Sequence, residues 1–424
     1  MAAELAGAPY WEVAFDKKGR ITADGGLRQE LAGSGVRDMF VLCHGWNNSV
    51  RGARSMYRDL FTGLADQLPA EQRRGIGLVG VLWPSMLFPA DGPADDGSPA
   101  PPAPVSDAQL AAVLAPAFPG QEAQVAQLGA LLQTRPQDPA QLAVFAALAQ
   151  SLVTSEQVGG PEDNAERLLV DAPAQEALGA MTGDGATGHA QGDNPFSRGW
   201  RQARDLLRTA SYYEMKSRAG HVGRDGLGPL LADLQARAGE VRVHLVGHSF
   251  GARLVSFSLA GLPPVGPTPV RSLTLLQGAF SHFTFSPDKP GALAGVVNRV
   301  DGPLICTFSV HDRAVGTWYP QASLLARQDD QADREFGYTW GAMGHDGFQQ
   351  DGVQQHPLGP PGTDYGFRAG GLYRLDGDKV ITKSLSSFSG AHCDIRRPEV
   401  TWVLARAAGL GAVQLGAPAP AGAG

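Results

Sequence analysis

Val241-Arg-Val-His-Leu-Val-Gly-His-Ser-Phe-Gly-Ala-Arg-Leu-Val255 is the stretch on which the fold of this chain turns. It reads as a buried strand, a tight turn with Ser249 at its apex, and a helix. Ser249 sits between Gly247 and Gly251 with His248 and Phe250 as the intervening residues, the Gly-x-Ser-x-Gly pattern of a nucleophile elbow. Side chains at the two glycine positions would collide with the adjoining strand and helix. The turn lifts the hydroxyl into an open site, and the helix that follows aims its first amides at incoming negative charge.

A serine hydroxyl is a weak nucleophile at neutral pH and needs a base, and the base needs an orienting carboxylate. Leu304-Ile-Cys-Thr-Phe-Ser-Val310 is an apolar, β-prone run that empties into His311-Asp312-Arg313. Asp312 therefore lies just past the C-terminal end of a buried strand. Ser389-Gly-Ala-His-Cys-Asp-Ile395 is a short loop before a helix at Pro398–Ala408, and it carries His392. The rival acids fare worse: Asp301 is at the wrong end of its strand, and Asp394 is too close in sequence to His392. Of the other histidines, His44 and His248 belong to motifs and are expected to hydrogen-bond locally. His282 follows the next strand, at a position able to border the pocket, and His311 is expected to point away from the acid beside it.

Asp38-Met-Phe-Val-Leu-Cys-His-Gly-Trp-Asn-Asn48 reads as a strand ending in His44-Gly45-Trp46. Gly45 lets the backbone turn so that an amide faces the site. The expected oxyanion donors are the backbone N–H groups of Trp46 and Phe250.

With these residues in hand, the chain resembles the serine hydrolases of the α/β-hydrolase superfamily that carry a His-Gly-x oxyanion loop. The resembling segments are Asp38–Asn48, Gly77–Ser85, Val241–Ser256, Ser272–His282, Pro303–Gly316 and Ser387–Gly409. They cover less than half of the chain but fall in the order the family requires, with serine, acid and histidine in the sequence Ser249, Asp312, His392. The resemblance implies a doubly wound, mostly parallel α/β sheet, a Ser249–His392–Asp312 triad, and an acyl-enzyme mechanism. It names no substrate, because the remainder matches no one subfamily.

The 424 residues are 43% hydrophobic with a net charge of −7, ample material for a core. No basic face is evident, which argues against a nucleic-acid partner. Cys43, Cys306 and Cys393 cannot form a disulfide framework. There is no His-Glu-x-x-His, no paired Cys-x-x-Cys and no phosphate-binding glycine loop, so neither a metal nor a cofactor is implied. Asp91, Asp95 and Asp96, or Asp376 and Asp378, read as solvated loop acids. With no leader pattern and no apolar run of 18 residues, the expected protein is cytoplasmic, with no integral membrane association. Its oligomeric state is left open.

The apolar runs Asp38–Cys43 and Leu78–Pro84 alternate with helix-length amphipathic stretches, such as Gly52–Gln67, as in a doubly wound sheet. Tyr10–Val13 and Arg20–Thr22 read as short strands about a Lys17-Lys18-Gly19 turn. The expected division is a discontinuous core, 1–88 and 195–410, a helical cap or lid at 89–194, and a disordered tail at 411–424. The cap opens with an Ala90–Pro104 linker and holds helices near Asp107–Leu114, Glu122–Leu132 and Pro139–Leu152, then an irregular Val158–Asn194. Phe196–Ala219 and Asp225–Ala238 are helical returns to the core, in which Tyr212, Tyr213, Met215 and Lys216 read as core residues rather than pocket lining. Gln328–Gly371 is a second, glycine-rich insertion, and Leu372–Ile381 resembles a hairpin about Asp376-Gly377. The expected activity is hydrolysis of a small-molecule acyl substrate, a carboxylic ester first. A peptide, amide or thioester on the same triad, or a catalytically silent hydrolase-fold binder, are the alternatives.

Overall fold

The computed structural model describes residues 2–85, 107–153, 170–181, 195–289, 291–314, 341–384 and 390–412. The Ala90–Pro104 linker with its three aspartates, most of Val158–Asn194, residues 328–340 of the second insertion and the tail from 413 onward lie outside them.

Among the described residues ten strands form one sheet in the order β1-β2-β5-β4-β6-β7-β8-β10-β9, with β3 pairing β2. They are β1 (Ala3–Leu5), β2 (Ala8–Phe15), β3 (Ile21–Ala23), β4 (Asp38–Cys43), β5 (Ile76–Leu82), β6 (Arg242–His248), β7 (Val270–Leu276), β8 (Leu304–Phe308), β9 (Val353–Pro357) and β10 (Leu372–Asp376). Every pairing from β2 through β9 is parallel; only β1 and β3, both on β2, run antiparallel. The molecule is thus an α/β protein with a mostly parallel central sheet.

All six residues of β4 are buried, which is why it reads as an unbroken apolar run. Its side chains alternate between two cores. Met39, Val41 and Cys43 join one face, while Phe40 and Leu42 join the other. The second face is covered by helices α1 (Val50–Asp66) and, late in the chain, Pro398–Ala407. In α1, Tyr57, Leu60, Phe61 and Leu64 turn inward, each fully buried apolar side chain contributing about 1.5–3 kcal/mol. Ser49 caps that helix by accepting the Gly52 N–H at 2.9 Å.

Helices of the insertion lie on the first face: α2 (Asp107–Leu114), α3 (Glu122–Thr134), α4 (Pro139–Ser151) and α5 (Ala174–Ala180). Asp138 caps α4 through the Ala140 N–H. Next come α6 (Pro195–His221), a π-helical turn at Val222–Leu227, and α7 (Gly228–Arg237), which run on without a break. Helix α8 (Phe250–Ser258) follows β6, and α9 (Pro398–Ala407) closes the fold. Phe145 of α4 packs edge-on against Trp200 of α6, with ring centroids 5.8 Å apart. The buried side chains of the insertion are continuous with those beneath the sheet, from Leu128 and Phe145 through Tyr213 to Phe250 and Val243.

One expectation needs correction. Leu372–Asp376 is not one arm of a hairpin. It is β10, held in parallel between β8 and β9. After Asp376 the chain makes a turn in which the Gly377 N–H bonds to Phe308 O and the Ile381 N–H to Gly377 O, and buried Ile381 plugs the core instead of pairing back. The second insertion also contributes a strand. Val353-Gln-Gln-His-Pro357 carries no apolar signal because β9 is the edge of the sheet and no residue in it is fully buried.

Candidate active site

The direction of strand order reverses around β4, whose chain continues to β5 on one side while β6 pairs on the other. Ligands of open α/β sheets bind at such a point, outside the carboxyl ends of the strands. Trp46 follows β4 and Ser249 follows β6, so both stand at this edge.

Ser249 has φ 58° and ψ −123°, a strained conformation for a residue with a side chain, costing about 1–3 kcal/mol. Its surroundings enforce it. Ser249 donates its N–H to Leu276 O at 3.1 Å and accepts at its carbonyl from Ala252 and Ala279. The flanking glycines permit the close approach: a Cβ at Gly247 would sit 2.4 Å from Gly251 O, and one at Gly251 would sit 2.2 Å from Cys43 O. Phe250 is the first residue of α8, so its N–H has no carbonyl four residues earlier within the helix.

The loop after β4 lies directly against the serine. A Cβ on Gly45 would come within 2.6 Å of Ser249 Cβ. Burial pushes the His44 imidazole down to about 4, so the ring is neutral and its Nδ1–H donates to Gly45 O at 2.9 Å. The His44 N–H donates to the Tyr57 hydroxyl, Trp83 Nε1–H donates to His44 O at 2.8 Å, and the His44 ring stacks on Trp83. Trp46 and Phe250 both turn their side chains onto Tyr212 of α6, with centroids 5.8 and 4.8 Å away. Tyr212 therefore belongs to the wall of this site as well as to the core.

Asp312 is fully buried, and His392 is 7% exposed. Asp312 forms an antiparallel bridge with Gly390, and the Ala391 N–H donates to His311 O at 2.9 Å. These bonds lay the acid loop beside the histidine loop. His392 Nδ1–H then donates to Asp312 Oδ2 at 2.8 Å. A carboxylate only accepts, so in the neutral ring Nε2 keeps its lone pair. His248, the residue before Ser249, ties the same loop from beneath: its Nε2–H donates to His392 O at 3.0 Å. Burial, with His392 close by, pushes the His248 imidazole down to about 3.

The structure thus brings Asp312 and His392 together and sets His392 against the neighbour of Ser249, with the two histidine ring centroids 4.8 Å apart. It forms no hydrogen bond between the Ser249 hydroxyl and His392; such contacts often tighten only with substrate bound. Rival acids are engaged elsewhere. Asp394 accepts from the Thr382 and Lys383 N–H groups and from Arg397, and Asp301 pairs with Arg271. His282 pairs with Asp346 at 3.1 Å. Burial pushes the thiol of Cys306 up to about 12 and holds that of Cys43 well above its ordinary range, so neither supplies a thiolate.

One residue of the site escapes sequence reading. Gln277, just past β7, donates its side-chain N–H to Asp312 Oδ2 at 3.0 Å. The available signal is a lone polar side chain closing the apolar run of β7 at the C-terminal edge of the sheet.

Among the described residues no three His, Cys, Asp or Glu side chains converge as a metal site, and no helix is long and apolar enough to cross a membrane. A strained hydroxyl, an imidazole oriented by a buried carboxylate, and amides at a helix start can together perform acyl transfer. No protein-family model, no curated protein and no solved structure matches this chain.

Proposed function

We propose that this chain is a serine hydrolase that cleaves carboxylic esters of small molecules through an acyl-enzyme, on an α/β-hydrolase type of scaffold. The observation that carries this reading is the buried Asp312–His392 hydrogen bond, made at the same sheet edge as the strained Ser249 turn. Ser249 Oγ attacks the acyl carbon while His392 Nε2 takes its proton. Asp312 holds the ring in the tautomer that leaves Nε2 free and stabilises the imidazolium. The Trp46 and Phe250 N–H groups receive the charge that develops on the carbonyl oxygen. His392 returns the proton to the departing alkoxide, and water, deprotonated in turn by His392, releases the acid and frees Ser249. Esters come first among acyl substrates because an ester carbonyl is less resonance-stabilised than an amide carbonyl, and an alkoxide leaves more readily than an amide anion. The described helices of the 89–194 insertion belong to a cap, a reading supported by the packing of α4 on α6 and of α6 on the helix that follows Ser249.

Labelling with a fluorophosphonate probe tests this directly. Wild type is expected to label and Ser249→Ala to stay unlabelled. Panels of p-nitrophenyl esters, aminoacyl anilides and acyl thioesters then rank ester, amidase and thioesterase activity. The missing Ser249–His392 hydrogen bond favours a second reading, a silent ligand-binding protein on the same fold. A folded wild type that neither labels nor turns over any panel member would establish that reading instead.

A further inference from the structure

We propose that Gln277 is a positioning residue that locks the Asp312 carboxylate to the nucleophile turn, an inference that rests on the hydrolase reading above. Gln277 is completely buried and has φ 47°, an uncommon backbone for a residue with a side chain. Its two amide hydrogens are both used, on Asp312 Oδ2 at 3.0 Å and Gly344 O at 3.1 Å. Its Oε1 accepts from the Thr307 hydroxyl at 2.9 Å, and that hydroxyl in turn accepts the Gln277 N–H at 3.3 Å. The network fixes which way the amide faces, because a reversed amide would set its oxygen against a carboxylate and a carbonyl at once.

The strained backbone has its own consequence. Leu276, on one side of Gln277, accepts the Ser249 N–H, and Ala279, two residues on, donates to Ser249 O. The segment that grips both polar backbone groups of the nucleophile therefore also carries the side chain that grips the acid. Asp312 Oδ2 is the very oxygen that accepts from His392 Nδ1. With two donors on that oxygen, its lone pair toward His392 is held in direction and its charge is shared. Removing the Gln277 donor leaves more negative charge facing the imidazole and so favours the imidazolium.

The test uses full-length protein, an ester that wild type turns over, and two variants. Gln277→Met conserves volume and removes the donor, and Thr307→Val removes only the hydroxyl that orients the amide. For Gln277→Met we expect kcat to fall roughly 10- to 100-fold with KM changed less than about threefold, because a carboxylate no longer held in direction misaligns the imidazole while the substrate's own contacts stay in place. The acidic limb of the kcat/KM profile should move to higher pH. Thr307→Val should show the same two effects more weakly, and it carries the test if Gln277→Met does not fold. Full turnover with an unmoved acidic limb would overturn the inference. So would a loss that merely tracks the folded fraction, with the limb unmoved. A wild type that fails to label with fluorophosphonate sinks the hydrolase reading, and this inference with it; a labelled wild type with indifferent variants sinks the inference alone.

Discussion

Asp312 and His392 stand 80 residues apart in the chain and share a 2.8 Å hydrogen bond inside the protein. The carboxylate is fully buried, so its orientation is set by its donors rather than by water. Asp312→Asn keeps the size of the side chain but removes the negative charge that stabilises an imidazolium at His392. Where its amide nitrogen faces Nδ1, the ring would also settle in the other tautomer, with a proton on Nε2 and no base toward Ser249. We expect a folded protein by circular dichroism with turnover reduced on the order of 10,000-fold. Nearly normal turnover would mean that another group orients the base.

Gly45 and Ser249 lie so close that one methyl group decides whether the loop after β4 can stay in place. In Gly45→Ala the new Cβ would meet Ser249 Cβ at 2.6 Å, and one of the two loops must retreat. Under the proposed mechanism, retreat of the Trp46 amide removes one donor from the developing oxyanion. The expected loss in kcat is about 100- to 1000-fold. Fluorophosphonate labelling should slow in parallel, because it uses the same donors. Steady-state kinetics with a p-nitrophenyl ester would measure it, and a rate within a few-fold of wild type would place the oxyanion donors elsewhere.

What the sequence discloses and what it hides divides along physical lines. β4, β6, β7 and β8 are legible because strands covered on both faces must be apolar throughout. β9 is hidden because an edge strand with exposed side chains needs no such run, and β10 is legible as a strand but not in its pairing. Ser249 and Gly45 are local readings, since steric crowding at a tight turn demands small residues within a few positions. The meeting of Asp312 with His392 has no local signature at all; it depends on the Asp312–Gly390 bridge, and only chain order hinted at it. Gln277 escapes for the same reason, as its side-chain partners Thr307, Asp312 and Gly344 lie 30, 35 and 67 residues away.

Tyr212 tests whether α6 shapes the site or only covers the sheet. Its ring packs on both Phe250 and Trp46 and is 5% exposed. Tyr212→Ala empties that space and should cost about 3–5 kcal/mol in unfolding free energy. The two amide-bearing residues then lose a shared neighbour, so kcat per folded molecule should drop at least about tenfold, the scale of 1.4 kcal/mol in a barrier. Tyr212→Phe keeps the ring and should preserve most of both properties. Unchanged kcat per folded molecule in the alanine variant would reduce α6 to scaffold.

Stability should depend on pH through two histidines that never leave their neutral form in the folded protein above about pH 4. Burial pushes His44 down to about 4 and His248 to about 3, from an ordinary 6.5. An unfolded chain protonates both near 6.5. Between that pH and the folded values the unfolded state therefore binds more protons, and stability rises with pH. The contribution is fully present above about pH 7 and is lost progressively as pH falls toward 4. Each ring adds a slope of up to about 1.4 kcal/mol per pH unit. His244 acts in the same direction: burial depresses it, and its hydrogen bond to Asp38 only partly offsets that. Denaturant unfolding at pH 7.5, 6.5, 5.5 and 5 should show a flat region followed by a steep fall, above the range where carboxylates dominate. In His248→Asn the fall should be shallower by about one proton, because the replaced ring no longer titrates in the unfolded chain. A stability curve that stays level from pH 7.5 to 5 would mean these rings accept protons without unfolding. The neutral His248 that holds the His392 loop would then have to be abandoned.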